Sequence, residues 1–158
     1  MRLGVDVGDA RIGVAASDAS GTVVVPLQTV PAHPRSKALR EIIGIARERG
    51  AIEIVVGLPR NMRGDEGPAA AKARKFAKAL VSGDASLRVC LIDERLSTSS
   101  AQGRLVDAGV QSKSQRNVID QVAAQIILER ALEIERSGNR LPGETVSMVT
   151  WMGETRIE

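Results

Sequence analysis

Aromatic side chains are almost absent: the chain has no tyrosine, one phenylalanine (Phe76) and one tryptophan (Trp151). A platform that reads single-stranded bases by stacking needs several rings, so any nucleic acid bound here is held by backbone charge and shape. Cys90 is the single cysteine, which excludes an internal disulfide, and its apolar surroundings point to a buried structural thiol rather than a nucleophile. His33, in the loop Pro31-Ala-His-Pro34, is the single histidine, which excludes a zinc site built on clustered Cys and His. No apolar run approaches the roughly 18–20 residues that span a bilayer, so no membrane partner is expected. No signal-peptide segment precedes the strand Arg2-Leu-Gly-Val-Asp-Val7, and a cytoplasmic location is expected.

What the chain does have is ordinary in bulk and uneven in detail. Its 158 residues, 43% hydrophobic and 26% charged, suit one domain with a single substantial core. The net charge is +3, yet residues 60–78 carry six bases (Arg60, Arg63, Lys72, Arg74, Lys75, Lys78) against Asp65 and Glu66, which is +4 and leaves −1 for the remainder. Such a stretch is either a solvated helix face or a surface for phosphates. On the second reading Arg60, Arg63, Lys72 and Arg74 hold the backbone of a substrate.

Leu3, Val5 and Val7 alternate with Gly4, Asp6 and Gly8, as in a strand. Turns at 8–11 and 18–21 separate it from strands at 12–17 and 23–25, which predicts an antiparallel meander. Ser36 is placed to cap a helix ending at Gly50. Strands are predicted at 52–57 and 87–92. Pro68 opens and Gly83 closes an Ala- and Lys-rich helix between them, and further helices are expected at 97–108 and 117–138. The order βββ-α-β-α-β-α-α predicts an α/β domain over residues 1–138. Its mixed five-stranded sheet has three antiparallel then two parallel strands, flanked by helices. Residues 139–158 lose periodicity and are expected to be a mostly disordered tail.

Three acids stand in apolar company. Asp120 falls on the helical face of Ala123, Ala124, Ile127, Ala131 and Ile134, opposite Gln121, Gln125, Glu129 and Glu133. An ionised carboxylate is costly there unless it is paired or coordinates a cation; the alternative is an Asp favoured by the helix dipole in the first turn. Asp6 lies inside the first strand, beside glycines that leave room for a close approach. Asp93 and Glu94 end the last predicted strand, where α/β sites gather. Parity leaves open which of the two points into the site. Acids on these three elements can converge on divalent cations such as Mg2+, and two such ions can activate a water and stabilise a leaving oxygen.

The segments Asp6-Val-Gly-Asp-Ala-Arg-Ile-Gly-Val-Ala15, Gly57-Leu-Pro-Arg-Asn-Met-Arg-Gly64, Ala73-Arg-Lys-Phe-Ala77, Asp93-Glu-Arg-Leu-Ser-Thr98 and Ile119-Asp-Gln-Val-Ala-Ala124 resemble the YqgF/RuvX family. The resemblance runs in order over about residues 2–135. It implies an RNase H-like fold, similar to the junction resolvase RuvC. It also implies a metal-dependent nuclease that processes the 5′ end of pre-16S rRNA in ribosome biogenesis, or one that resolves Holliday junctions. Asp6, Glu94 and Asp120 are then the catalytic acids, and with Asp93 the candidate ligands of Mg2+ or Mn2+, two ions being expected. Arg11, Asn61, Arg95 and Thr98 match positions that support or contact the phosphate backbone. The implied partners are pre-16S rRNA or branched DNA and ribosomal precursor particles, met by a monomer or homodimer. Asp9 stands where the family usually has an uncharged polar residue, and Arg63 where an acid is common. RuvC-like enzymes also carry an acid on the strand that here reads Ile54-Val-Val-Gly-Leu58.

Two other classes fit parts of the pattern. An ATPase of the actin and sugar-kinase type also begins Asp-x-Gly in a strand, but it needs two such domains around the nucleotide. A catalytically silent RNA- or ribosome-binding module would share the basic stretch without needing all three acids.

Overall fold

The computed structural model describes residues 1–94, 113–138 and 143–146, with the side chains of 113–115 excepted. The strands are β1 (Arg2–Val7), β2 (Arg11–Ser17), β3 (Val24–Pro31), β4 (Glu53–Leu58), β5 (Arg88–Asp93) and β6 (Glu144–Val146); the helices are α1 (Arg35–Arg49), α2 (Pro68–Gly83) and α3 (Lys113–Gly138). They form one mixed sheet in the order β3-β2-β1-β4-β5-β6. The β1–β2, β2–β3 and β5–β6 pairs are antiparallel, and the β1–β4 and β4–β5 pairs parallel. The helix expected at 97–108 lies outside the described residues, as do Arg95 and Thr98.

Strand side chains alternate between faces, and the two faces build two cores. Leu3, Val5, Ile12, Val14, Ile54 and Val56 pack with Ile42 of α1 and Phe76 and Leu80 of α2. Ala15, Val55, Cys90 and Ile92 pack on the other face against Ala124, Ile127, Leu128 and Leu132 of α3. Each fully buried Leu, Ile or Val contributes roughly 1.5–3 kcal/mol, so the sheet is clamped from both sides. Gly4 lets α3 in: a Cβ there would come within 2.6 Å of the Ala124 carbonyl oxygen. The space beside β1 foreseen for a ligand or a backbone is thus filled by a helix backbone.

Three expectations need correction. The sheet has six strands rather than five, because β6 forms inside the tail expected to be disordered and pairs Cys90 with Thr145. Its signal was invisible because three residues carry no periodicity. It is held from outside itself, by Arg74 on Glu144 and by Arg88 on Thr145. β3 runs eight residues to Pro31 rather than ending at Val25; as the sheet's edge it tolerates Pro26, opposite the register shift at Val14/Ala15. Helix α1 begins at Arg35 behind Pro34 with no side-chain cap, so Ser36 is not its cap.

Candidate active site

Asp6 sits one residue before the end of β1, on the α3 face. Its antiparallel partner in β2 is Gly13. A side chain at Gly13 would collide with the carbonyl of Asp120, so this glycine seats the first turns of α3 directly on the sheet. Two further contacts fix that seating: Thr29 Oγ1 donates to the Asn117 carbonyl (3.1 Å), and Gln121 Nε2 donates to Thr29 Oγ1 (3.0 Å). Gln125 likewise donates to the Val24 carbonyl. Gln121 and Gln125, on the polar side of the helical projection, therefore face β3. The result is that Asp120 looks down at Asp6. Burial, then the neighbouring Asp120 carboxylate, push the Asp6 carboxyl up to about 7.

Arg11, the first residue of β2, donates from Nε to Asp120 Oδ2 at 2.7 Å. This bond holds the Asp120 carboxylate by one oxygen and places a positive charge beside the acid pair. Arg11 is two-thirds buried and Asp120 four-fifths, so the pair is only partly screened by water.

Glu94 follows β5 directly, and its backbone N–H donates to the Leu58 carbonyl (3.2 Å). It is 5% exposed. Its carboxylate leans over β4, where a Cβ on Gly57 would lie 3.0 Å from Glu94 Cδ and Oε1 and would also meet Ile127 of α3. Glu94 thus shares the α3 face with Asp6. Asp93 has the parity of Val89 and Leu91, which belong to the opposite core, and lies 3.8 Å from Arg60 Nη1. Of the two acids whose facing parity left open, Glu94 is the one on the α3 face.

The donors fit a hard divalent cation: all are carboxylate oxygens, and one acid is held at a protonation cost that a cation would relieve. The arrangement is looser than a closed cage. Among the described residues no three His, Cys, Asp or Glu side chains are gathered into one metal-holding group; Asp6 and Asp120 are brought together, and Glu94 stands over Gly57.

The basic stretch is less free than its charge count suggests. Arg60 pairs with Glu66 (3.1 Å), Arg63 with Asp65 (4.0 Å), Lys72 with Asp9, and Arg74 with both Glu66 and Glu144 (2.8 Å each). The Arg74 hydrogen bond, with help from Arg60, holds the Glu66 carboxyl down at about 2. Asn61 organises its own loop, its Oδ1 accepting from the N–H groups of Arg63 and Asp65 at 2.9 Å. Two other sequence features prove structural. Burial raises the Cys90 thiol above its ordinary range, and Glu53, 2% exposed, is held by Arg2 and Arg88.

Sequence reasoning missed Gly13 and Gly57 as parts of the site. Isolated glycines inside strands were the available signal, since they mark a close approach of something to the sheet.

Comparison with known proteins places the chain in a family. Residues 1–134 match the model of the RuvX family, described as Holliday junction resolvase. A relative from Streptomyces coelicolor, named "Putative pre-16S rRNA nuclease", is 51% identical over 148 residues, covering 94% of this chain and 89% of its own. A relative of the same name from a Nocardioides species is 46% identical over 149 residues, covering 92% and 96%. Among solved structures, Thermus thermophilus RuvC in complex with a Holliday junction substrate superposes with a TM-score of 0.55 at 15% identity, covering 89% of this chain and 98% of that one. A second Thermus thermophilus RuvC structure gives 0.54 at 15% identity with the same coverage. At that identity the likeness is one of fold, and the fold is RNase H-like.

Proposed function

The chain belongs to the RuvX family and is a nuclease, a hydrolase of phosphodiester bonds; we propose that it needs a divalent cation and trims the 5′ end of pre-16S rRNA. The observation that carries the cation requirement is the Asp6–Asp120 approach: burial, and then the Asp120 carboxylate, lift the Asp6 carboxyl to about 7. Arg11 already pairs with Asp120, yet the Asp6 carboxyl stays raised, so a further positive charge between the two carboxylates is favoured. The curated relatives' shared name supports the rRNA substrate.

In this reading Asp6 and Asp120 hold the cation, Mg2+ or Mn2+, with Glu94 reaching in from β5; a second ion would share the same acids. When bound, the metal supplies a nucleophilic water at neutral pH and neutralises charge at the scissile phosphate. The chain does the rest. Gly13 fixes the height of α3, so the distance between Asp6 and Asp120 is set by backbone rather than by flexible side chains. Arg11 orients Asp120 through its single bond. Burial of Glu94 keeps its carboxylate aimed along the sheet. Arg60, Arg63, Lys72 and Arg74 supply phosphate contacts once the substrate displaces their internal carboxylate partners, and Asn61, Arg95 and Thr98 add to them. The nuclease domain takes in residues 1–138 together with β6. Precursor ribosomal particles are the setting in which the substrate is met. Among the described residues no helix is long and apolar enough to cross a membrane.

A second reading, resolution of four-way DNA junctions, is favoured by the family's description. Purified protein offered precursor rRNA and a four-way junction side by side, with Mg2+ or Mn2+, separates the two. Cleavage of the rRNA precursor with the junction left intact is expected; the reverse pattern would overturn the rRNA assignment.

A further inference from the structure

A cavity of about 180 Å3 opens on the other side of β1 from Asp6, between the β1–β2 turn, the segment leading into α1, and α2. Three cations line it, Arg35, Lys72 and Lys75, and Asp9 is its one acid. Lys72 is paired with Asp9, whereas Arg35 and Lys75 have no carboxylate partner among the described residues and are exposed. This contrasts with Arg60, Arg63 and Arg74, each already matched by an acid. The wall beneath the cations is apolar, made by Val7, Ile12 and Phe76, the chain's one phenylalanine. At about 180 Å3 the space is well below the roughly 300–1,000 Å3 of pockets that engulf a whole small ligand.

We propose that this cavity seats one phosphate-bearing nucleotide unit of the substrate strand, with Asp9 as the counter-charge that the phosphate displaces from Lys72. Net positive charge selects an anion, and the apolar wall selects an anion carrying a sugar or base rather than a bare ion. Val7 and Gly8 follow Asp6 directly in the chain, so a strand crossing the end of β1 reaches both the acids and the cavity. The seat deepens the nuclease reading by naming residues that grip the strand beside the bond, and it rests on that reading for its substrate.

The test is fluorescence anisotropy of a short single-stranded RNA, with and without a 5′-phosphate, titrated with full-length protein in EDTA over a range of salt. The double variant Arg35→Ala/Lys75→Ala should bind about tenfold more weakly, with the salt slope reduced by about 0.7 for each phosphate no longer neutralised. Arg49→Ala, which removes one positive charge at the far end of α1, should bind as wild type. Asp9→Ala should bind several-fold more tightly. If the double variant melts early, Lys75→Ala alone carries the comparison. An advantage of the 5′-phosphorylated RNA that vanishes in the double variant identifies a terminal phosphate; equal weakening for both RNAs identifies an internal one, and either sustains the seat. Binding by the double variant no weaker than by Arg49→Ala overturns it. Wild-type protein that binds through Arg35 and Lys75 yet cleaves nothing with Mg2+ would instead remove the nuclease reading and leave the seat standing.

Discussion

Arg11 Nε and Asp120 Oδ2 lie 2.7 Å apart, joining the first residue of β2 to α3 across 109 positions of sequence. The bond places a guanidinium beside an acid pair that otherwise repels itself. Arg11→Ala should therefore destabilise the metal-free protein by about 1 kcal/mol, the scale of a partly exposed ion pair, and saturating Mg2+ should recover most of that stability. Thermal melts in EDTA and in Mg2+ check this; equal destabilisation in both conditions would make the bond purely structural.

Asp6 gives stability an unusual dependence on pH. Its folded value, about 7, lies above the ordinary 3.8, so the folded state binds the proton more tightly than the unfolded state. Its contribution is full below the unfolded value and is lost as pH rises through about 7. In EDTA, urea denaturation should show the wild type less stable near pH 8 than near pH 5, by an amount on the order of a few kcal/mol from this group. Asp6→Asn should flatten that dependence, and an unchanged profile would place the perturbation elsewhere.

The two glycines beside the acids should respond differently to alanine. At Gly13 the new methyl meets the backbone of Asp120, which cannot yield without moving α3, so a destabilisation of about 2–3 kcal/mol is expected, in the range of overpacking. At Gly57 it meets the ends of Ile127 and Glu94, which can rotate. Gly57→Ala should cost less stability while displacing Glu94 and lowering cleavage sharply. Urea unfolding and cleavage rates, measured on both variants, check the ordering.

The three acids stood out in the sequence because each broke a hydrophobic rhythm, and the structure places Asp120 and Glu94 on the sheet face of Asp6. The choice between Asp93 and Glu94 was not legible. Parity is relative until one knows which core each face meets, and both faces of β5 are covered. The pairing of the basic stretch was equally hidden. Arg74 meets Glu66 eight residues away and Glu144 seventy residues away, and a charge count along the chain sees neither. β6 escaped notice for the same reason: its partners are Cys90 and Arg88, brought near only by the completed sheet.

Those internal pairs lead to a prediction about binding. Glu66 occupies both Arg60 and Arg74. Glu66→Gln should release them and tighten nucleic-acid binding, with a steeper salt dependence as more phosphates are neutralised. Arg74→Ala should loosen β6 by removing its tie to Glu144, seen as faster amide exchange at Thr145 and Val146. Slower exchange there, or weaker binding by Glu66→Gln, would contradict the arrangement.

The most direct measurement is divalent-dependent cleavage by Asp6→Asn, with protein free of host nuclease, set beside its binding of the same substrate in EDTA. Asn keeps the shape of the side chain but not the charge that would hold the cation. Cleavage should fall by a factor of at least about a thousand, as when an interaction made in the transition state is removed, while binding stays equal to or tighter than wild type. Cleavage at the wild-type rate by Asp6→Asn would contradict the account.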